Sequence, residues 1–175
     1  MHTYISLLRG INVSGKNKLP MTTLKDLYQA LGCMHVTTYI QSGNVILQTA
    51  SSITALEHNL SQAIKEKFGY TVPVLVREVA FFSSIVAQNP FKDCDPSTLY
   101  VTLLGDATHQ AQIASMADGA GGADRFVIQE GVIYVHCPTG YGSTPLNNNF
   151  FEKQGKTWAT TRNWKTINRL VALAR

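Results

Sequence analysis

The apolar positions of the first 78 residues alternate between strand-like and helix-like spacing. Thr3–Leu8 is a short apolar run and reads as a strand. Pro20-Met21-Thr22-Thr23 then opens a helix whose apolar face is Leu24, Leu27, Tyr28 and Leu31, with Gly32 as its stop. Val36–Gln41 and Asn44–Thr49 flank Ser42-Gly43, a hairpin turn with glycine where φ > 0 is needed. Ile53, Leu56, Leu60, Ile64 and Phe68 recur at helical spacing up to Gly69. Val72–Val76 is a β-branched strand, and Pro73 places it near a sheet edge. The order is strand, helix, strand, strand, helix, strand.

The rest of the chain repeats that order. Val79–Val86 predicts a connecting helix ended by Asn89-Pro90, Leu99–Leu104 a strand, and His109–Met116 a helix. Gly119–Gly122 reads as a connecting loop, followed by strands at Phe126–Gln129 and Val132–His136 around Glu130-Gly131. Leu146–Lys153 predicts a helix and Trp158–Thr161 a last strand. The hairpins echo each other, YIQSGNVIL in the first half and FVIQEGVIYV in the second. Two βαββαβ runs predict an α+β protein, a tandem duplication of ferredoxin-like units in one compact body. Their bounds are 1–78 and 79–175, the second including the connecting helix and an extra C-terminal helix. In that last helix Asn163 is the expected N-cap, and Trp164, Ile167, Leu170, Val171 and Ala174 form the apolar stripe.

Length and composition narrow the class. A chain of 175 residues buries roughly 70% of its unfolded surface, enough for a core without disulfides. No apolar run approaches the ~20 residues of a membrane span, so no membrane partner is expected. Cys33, Cys94 and Cys137 are odd in number, far apart and without a CxxC. They read as reduced, small buried hydrophobes of a cytoplasmic protein, with no metal. The five histidines lack HxxxH or HxH spacing, and no G-x-S-x-G occurs. Neighbours on a strand point to opposite faces, so His136 and Cys137 cannot pair as base and nucleophile. Asp93 and Asp95 beside Pro96 are turn residues. No cofactor is implied, and neither an enzymatic reaction nor an oligomeric state follows from these patterns.

Charge changes the picture. Met1–Lys25 holds Arg9, Lys16, Lys18 and Lys25 and no acidic residue. Lys153–Arg175 holds six basic residues and again no acidic one, while the middle holds five basic and all 11 acidic residues. If the fold joins the ends, they form a positive face suited to an anion.

The first basic segment also contains a motif. In LLRGINVSGKNK, Gly10 to Lys16 spells G-x-x-x-x-G-K, the spacing of a phosphate-cradling loop. However, Asn17 stands where a magnesium-ligating hydroxyl belongs, and Pro20 delays the helix whose N-terminus would face the phosphate. A nucleotide hydrolase is therefore not expected. Arg9, Lys16, Lys18 and the loop amides still suit a simpler anion.

Four segments, LLRGINVSGKNKLPM, YIQSGNVIL, YGSTPLNNNFFEKQ and ATTRNWKT, together resemble the bacterial family known as domain of unknown function 1697. The resemblance implies the duplicated ferredoxin-like architecture and supplies no activity. Its signature falls on Arg9, Gly10, Asn12, Gly15, Lys16 and Asn17, then on Gln41, Ser42, Gly43 and Asn44. It continues through Tyr141, Gly142, Leu146, Phe151 and Glu152 to Thr161, Arg162, Asn163, Trp164 and Thr166. Pro145 and Lys165 depart from the family pattern, the first removing a basic residue and the second adding one.

These patterns predict an anion-binding module for nucleic acid or a phosphorylated ligand. Its basic site would join the Gly10–Lys18 loop to the Arg162 junction. The residues are Arg9, Asn12, Lys16, Asn17, Lys18, Asn44, Arg162, Asn163 and Lys165, with Glu152 as a candidate acid. One alternative is a small-molecule enzyme with a polar pocket at the same residues. Another is a structural or protein-interaction body in which the motifs are buried hydrogen-bond networks. Tyr4, Tyr39, Tyr100 and Tyr134 lie on or near strands without an RNA-recognition signature, which disfavours sheet-face RNA binding.

Overall fold

The structure, a computed structural model, describes residues 2–118 and 121–175. The chain divides into two compact units, one comprising Met1–Ser83 with Leu170–Arg175 and the other Ser84–Arg169.

The first unit contains β1 (His2–Leu8), α1 (Met21–Ala30), β2 (Met34–Tyr39), β3 (Asn44–Thr49), α2 (Ile53–Phe68) and β4 (Val74–Glu78). Its sheet is antiparallel in the order β2-β3-β1-β4. Ser6 lies opposite both Val45 and Val76, and Leu8 opposite Val74. Strand side chains alternate between faces, so this register collects Tyr4, Leu8, Val45, Leu47, Val74 and Val76 on one side. There they pack with Leu24 and Tyr28 of α1 and with Leu56, Leu60 and Ile64 of α2. Ser52 caps α2 by accepting the Ala55 N–H, and Gly69 at φ 81° ends it.

After α3 (Val79–Ala87), the second unit runs β5 (Leu99–Leu104), α4 (Gln110–Ala114), β6 (Arg125–Gln129), β7 (Val132–His136), α5 (Asn148–Gly155) and β8 (Ala159–Asn163). The chain continues into α6 (Trp164–Leu173). The second sheet has the order β6-β7-β5-β8, the same topology as the first. The registers agree as well. Leu7 faces Asn44 as Leu103 faces Val132, and Ile5 faces Arg77 as Val101 faces Arg162. The fold is α+β, a tandem pair of ferredoxin-like units.

Several element ends differ from the sequence reading. β2 starts at Met34 because a bulge shifts its register between Met34 and Thr37, with His35 at φ 51°. The hairpin turn spans Ile40–Gly43 rather than two residues, with positive φ at both Ile40 and Gly43. α4 shrinks to five residues. α5 begins two residues beyond Leu146, because the Asn147 side chain accepts the Phe150 N–H and caps the helix there. Leu146 is instead a core residue. β8 starts after Trp158, whose indole covers Gly105 so closely that a Cβ there would lie 2.3 Å from Nε1. Of the Gly119–Gly122 loop, Gly119 and Ala120 lie outside the described residues.

One polar pair sits inside the first core. Ser6 Oγ and Tyr28 Oη are 2.5 Å apart, and both residues are fully buried. Removing one partner leaves the other unsatisfied in a dry core, whereas removing both leaves an apolar contact. Tyr28→Phe and Ser6→Ala should each lower unfolding stability by about 1–3 kcal/mol. The double variant should lose less than the sum, as read from denaturant midpoints.

Burial also raises the phenol pKa of Tyr28, and that of Tyr134 from 10.0 to about 12. Between those values the native state holds protons that the unfolded chain releases, so stability falls as pH rises. The contribution is intact below pH about 10 and is lost as pH approaches about 12. Alkaline spectrophotometric titration should show both phenols ionising only after the exposed tyrosines.

Candidate functional site

The loop between β1 and α1 begins from a fixed base. The Leu8 N–H donates to Gly43 O at 2.8 Å and the Arg9 N–H to Pro73 O at 3.0 Å, which ties the end of β1 on both flanks. Ile11 and Leu19 are buried and hold the two ends of the loop against the core. Between them Asn12 acts as a clamp. Its Nδ2 donates to Leu19 O at 2.9 Å and to Gln41 O at 2.8 Å, and its Oδ1 accepts the Leu19 N–H at 2.8 Å. Its own N–H donates to Asn17 O, and Asn17 Nδ2 returns to Gly10 O at 2.9 Å. The hydroxyl of Tyr70 donates to Lys18 O.

Beyond the clamp the chain makes a tight hairpin. The Lys16 N–H donates to Val13 O at 2.9 Å, and Ser14 and Gly15 between them have φ of 49° and 75°. Positive φ at both central residues is what a type I′ turn requires. The G-x-x-x-x-G-K spacing therefore encodes a hairpin tip. Gly15 supplies its left-handed corner, and α1 starts only at Met21 with Pro20 as its cap. Lys16 and Lys18 are exposed, Arg9 is half-buried, and Val13 at the tip is 57% exposed.

Asn44 locks the adjacent turn. It is fully buried, and its Nδ2 donates to Tyr39 O at 3.0 Å and to Ser42 Oγ at 2.9 Å. Gly43 beside it has no room for a side chain, since a Cβ would lie 2.8 Å from Ile11 Cδ1 and from Leu8 Cβ. Ile40 adopts φ 49°, a costly conformation for a β-branched residue, and stays half-exposed. Asn12 thus couples two strained turns through Gln41 O.

The second basic segment belongs to β8 and α6. Arg162 is 8% exposed and donates through Nη1 to Thr160 Oγ1 and to Thr161 O, both at 2.9 Å. Desolvation lowers its pKa to about 10, which leaves it charged at neutral pH. Arg77, at the matching register position in the first sheet, likewise donates to its preceding carbonyl, Val76 O, and pairs with Glu57 at 2.9 Å. Asn163 Oδ1 accepts the Thr166 N–H at 2.8 Å, the expected cap of α6, and Asn163 and Lys165 are exposed. Glu152 Oε1 accepts the Ala159 N–H at 2.9 Å, so this carboxylate ties α5 to β8.

Other candidates resolve differently. Tyr4 and Tyr134 are buried and Tyr100 is half-buried against the Tyr141 ring, 4.6 Å between centroids, so they form no open stacking platform. Asp95 accepts the Ser97 N–H at 2.9 Å and so serves the turn. Cys33 and Cys137 are buried, but Cys94 is only half-buried, which corrects the expectation of three buried thiols. Among the described residues no group of three or more His, Cys, Asp or Glu side chains is arranged to hold a metal ion. Among them, too, no helix is long and apolar enough to cross a membrane.

The family described as protein of unknown function (DUF1697) matches residues 1–134. A solved structure described as a conserved bacterial protein from Streptococcus pneumoniae is similar over 99% of this chain and 98% of its own, with a TM-score of 0.74. At 19% sequence identity that likeness concerns the fold. No curated protein matches the chain.

The clamp makes a direct prediction. Asn12→Ala removes three side-chain hydrogen bonds and puts alanine at φ 54°. It should cost about 1–3 kcal/mol. Hydrogen exchange should speed up at the Lys16 and Leu19 amides while the β1 amides keep their protection. Unchanged exchange at those two amides would show that the clamp does not hold the loop.

Proposed function

The chain belongs to the DUF1697 family, proteins of unknown function, and we propose that it is an anion-binding module for nucleic acid or a phosphorylated ligand. The observation that carries this reading is the built character of the Gly10–Lys18 tip. Two exposed lysines stand on a hairpin held by side-chain amides, in a segment where residues 1–25 contain no acid. A loop fixed before binding loses little conformational entropy on meeting its ligand, so modest charge converts into affinity. Arg9 and the loop amides supply further donors. Asn12, Asn17 and Asn44 position the loop rather than contact the anion. The start of α6, with exposed Asn163 and Lys165, is a second basic element, whereas Arg162 stays buried on Thr160 and Thr161.

Single-stranded oligonucleotides, nucleoside phosphates and inorganic phosphate are the probes. A thermal shift identifies which of them the native state binds. With an oligonucleotide, affinity should fall steeply with salt, and each of Lys16→Ala and Lys18→Ala should reduce the logarithmic salt slope by about 0.7. With a small phosphate ligand, the double variant should abolish the shift. Absence of any shift, or salt slopes unchanged by both substitutions, would overturn the reading.

A further inference from the structure

The first sheet has a second face, and part of it is hollow. Strand side chains alternate, so Thr3, Ile46 and Gln48 point away from the core that Tyr4, Val45 and Leu47 share with α1 and α2. On that outer face the register sets Gln48 opposite Thr3 and Thr37 opposite Ile46. These four residues, with His35, line one side of a cavity of about 320 Å³, and Leu173 and Arg175 line the other. The volume lies at the lower end of the range of small-molecule sites. Every lining residue belongs to the first unit. The cavity is also far from the Gly10–Lys18 loop, because Thr3 and Leu8 stand near opposite ends of β1, roughly 16 Å apart at the rise of a strand.

The bulge in β2 serves this cavity. It inserts an extra residue between Met34 and Thr37, so that Val36 stays in the core while His35, at φ 51°, lines the cavity. Gln48 is half-buried, and its Nε2 donates to Thr3 Oγ1 at 3.3 Å. The rest of that side-chain amide has no partner among the described residues. Ile46 is buried and Leu173 is 37% exposed, and the two give the cavity apolar surface. Its one permanent side-chain charge is the Arg175 guanidinium, and no Asp or Glu stands among the described residues that line it. A guanidinium without a competing acid suits a carboxylate, which it can grip with two parallel bonds.

We propose that this cavity binds a small organic carboxylate with an apolar body. The carboxylate is held by Arg175, with the open amide of Gln48 as a further donor, and the body packs against Ile46 and Leu173. Inorganic phosphate is a poor fit, because it has nothing to place on the apolar surface. The site is separate from the basic hairpin tip, and binding at one neither requires nor excludes binding at the other.

The test is a titration of the full chain, followed by the chemical shifts of its backbone amides, with phenylacetate, its neutral isostere phenylacetamide, and inorganic phosphate. A ligand of roughly ten non-hydrogen atoms should bind with a Kd of about 0.1–1 mM, so titration to about 10 mM is sufficient. Phenylacetate should shift the amides of Thr3, His35, Thr37, Gln48 and Leu173 saturably and leave those of Lys16 and Lys18 in place. Phosphate should leave the cavity amides unmoved. Arg175→Gln should weaken phenylacetate by about threefold to fivefold, the scale of an exposed ion pair, and leave phenylacetamide unchanged. Leu173→Asp, a change at an exposed position, should weaken both probes, with the dispersion of the spectrum reporting that the variant is folded. Absence of saturable shifts at the cavity amides would overturn the proposal. Equal Kd values for the acid and its amide would do the same, because the cavity would then select no carboxylate.

Discussion

The central strand of each sheet fixes everything around it. β1 is bonded on one side to β3 and on the other to β4, and its last residue and the next are tied to Gly43 O and Pro73 O. A strand held on both flanks has no freedom to slip, since a shift of one residue would send Tyr4, Ser6 and Leu8 to the opposite face. The chain therefore leaves the sheet at a fixed point and in a fixed direction. The loop that follows inherits that certainty.

Between its two apolar anchors, Ile11 and Leu19, the loop is stabilised by short polar side chains. Asn12, Asn17 and Asn44 spend their amides on backbone groups, satisfying donors and acceptors that a turn would otherwise leave to water. Asparagine tolerates positive φ better than most residues, and Asn12 and Asn17 both use that tolerance. The result is a braced tip whose lysines bond through their backbone and are exposed to solvent. A phosphate loop achieves its rigidity differently, by running straight into a helix. Here Pro20 prevents that, and the hairpin takes its place.

Duplication gives an internal control. The two sheets share strand order and register, yet the matching positions have diverged in chemistry. Asn44 of the first unit corresponds to Val132 of the second, so the turn-locking amide has no counterpart there. After β5 the chain passes through Gly105 under Trp158 to Asp106, which accepts from Thr108, and no basic hairpin follows. Arg77 and Arg162 keep the same register and the same bond to the preceding carbonyl. That shared role marks the arginine as part of the architecture. The basic hairpin is an elaboration of the first copy alone.

Local spacing determined most of the fold. Alternation along Thr3–Leu8 and Leu99–Leu104, the helical recurrence from Ile53 to Phe68, and the stops at Gly32 and Gly69 are short-range signals, and the elements form where those signals fall. The cap at Asn163 was legible for the same reason, because its partner Thr166 is three residues away. The early proline was likewise enough to set the Gly10–Lys16 segment apart from a nucleotide loop. What the tertiary structure decided depends on partners distant in sequence. Asn12 reads the same as a cap, a turn or a surface residue until the register brings Gln41 O within 2.8 Å. Arg162 reads as a junction cation until the sheet buries it, and Cys94 as one of three alike until the fold brings Arg125 of β6 beside its turn. Periodicity records which way a side chain points along its own element. It carries no record of which group the fold will set opposite.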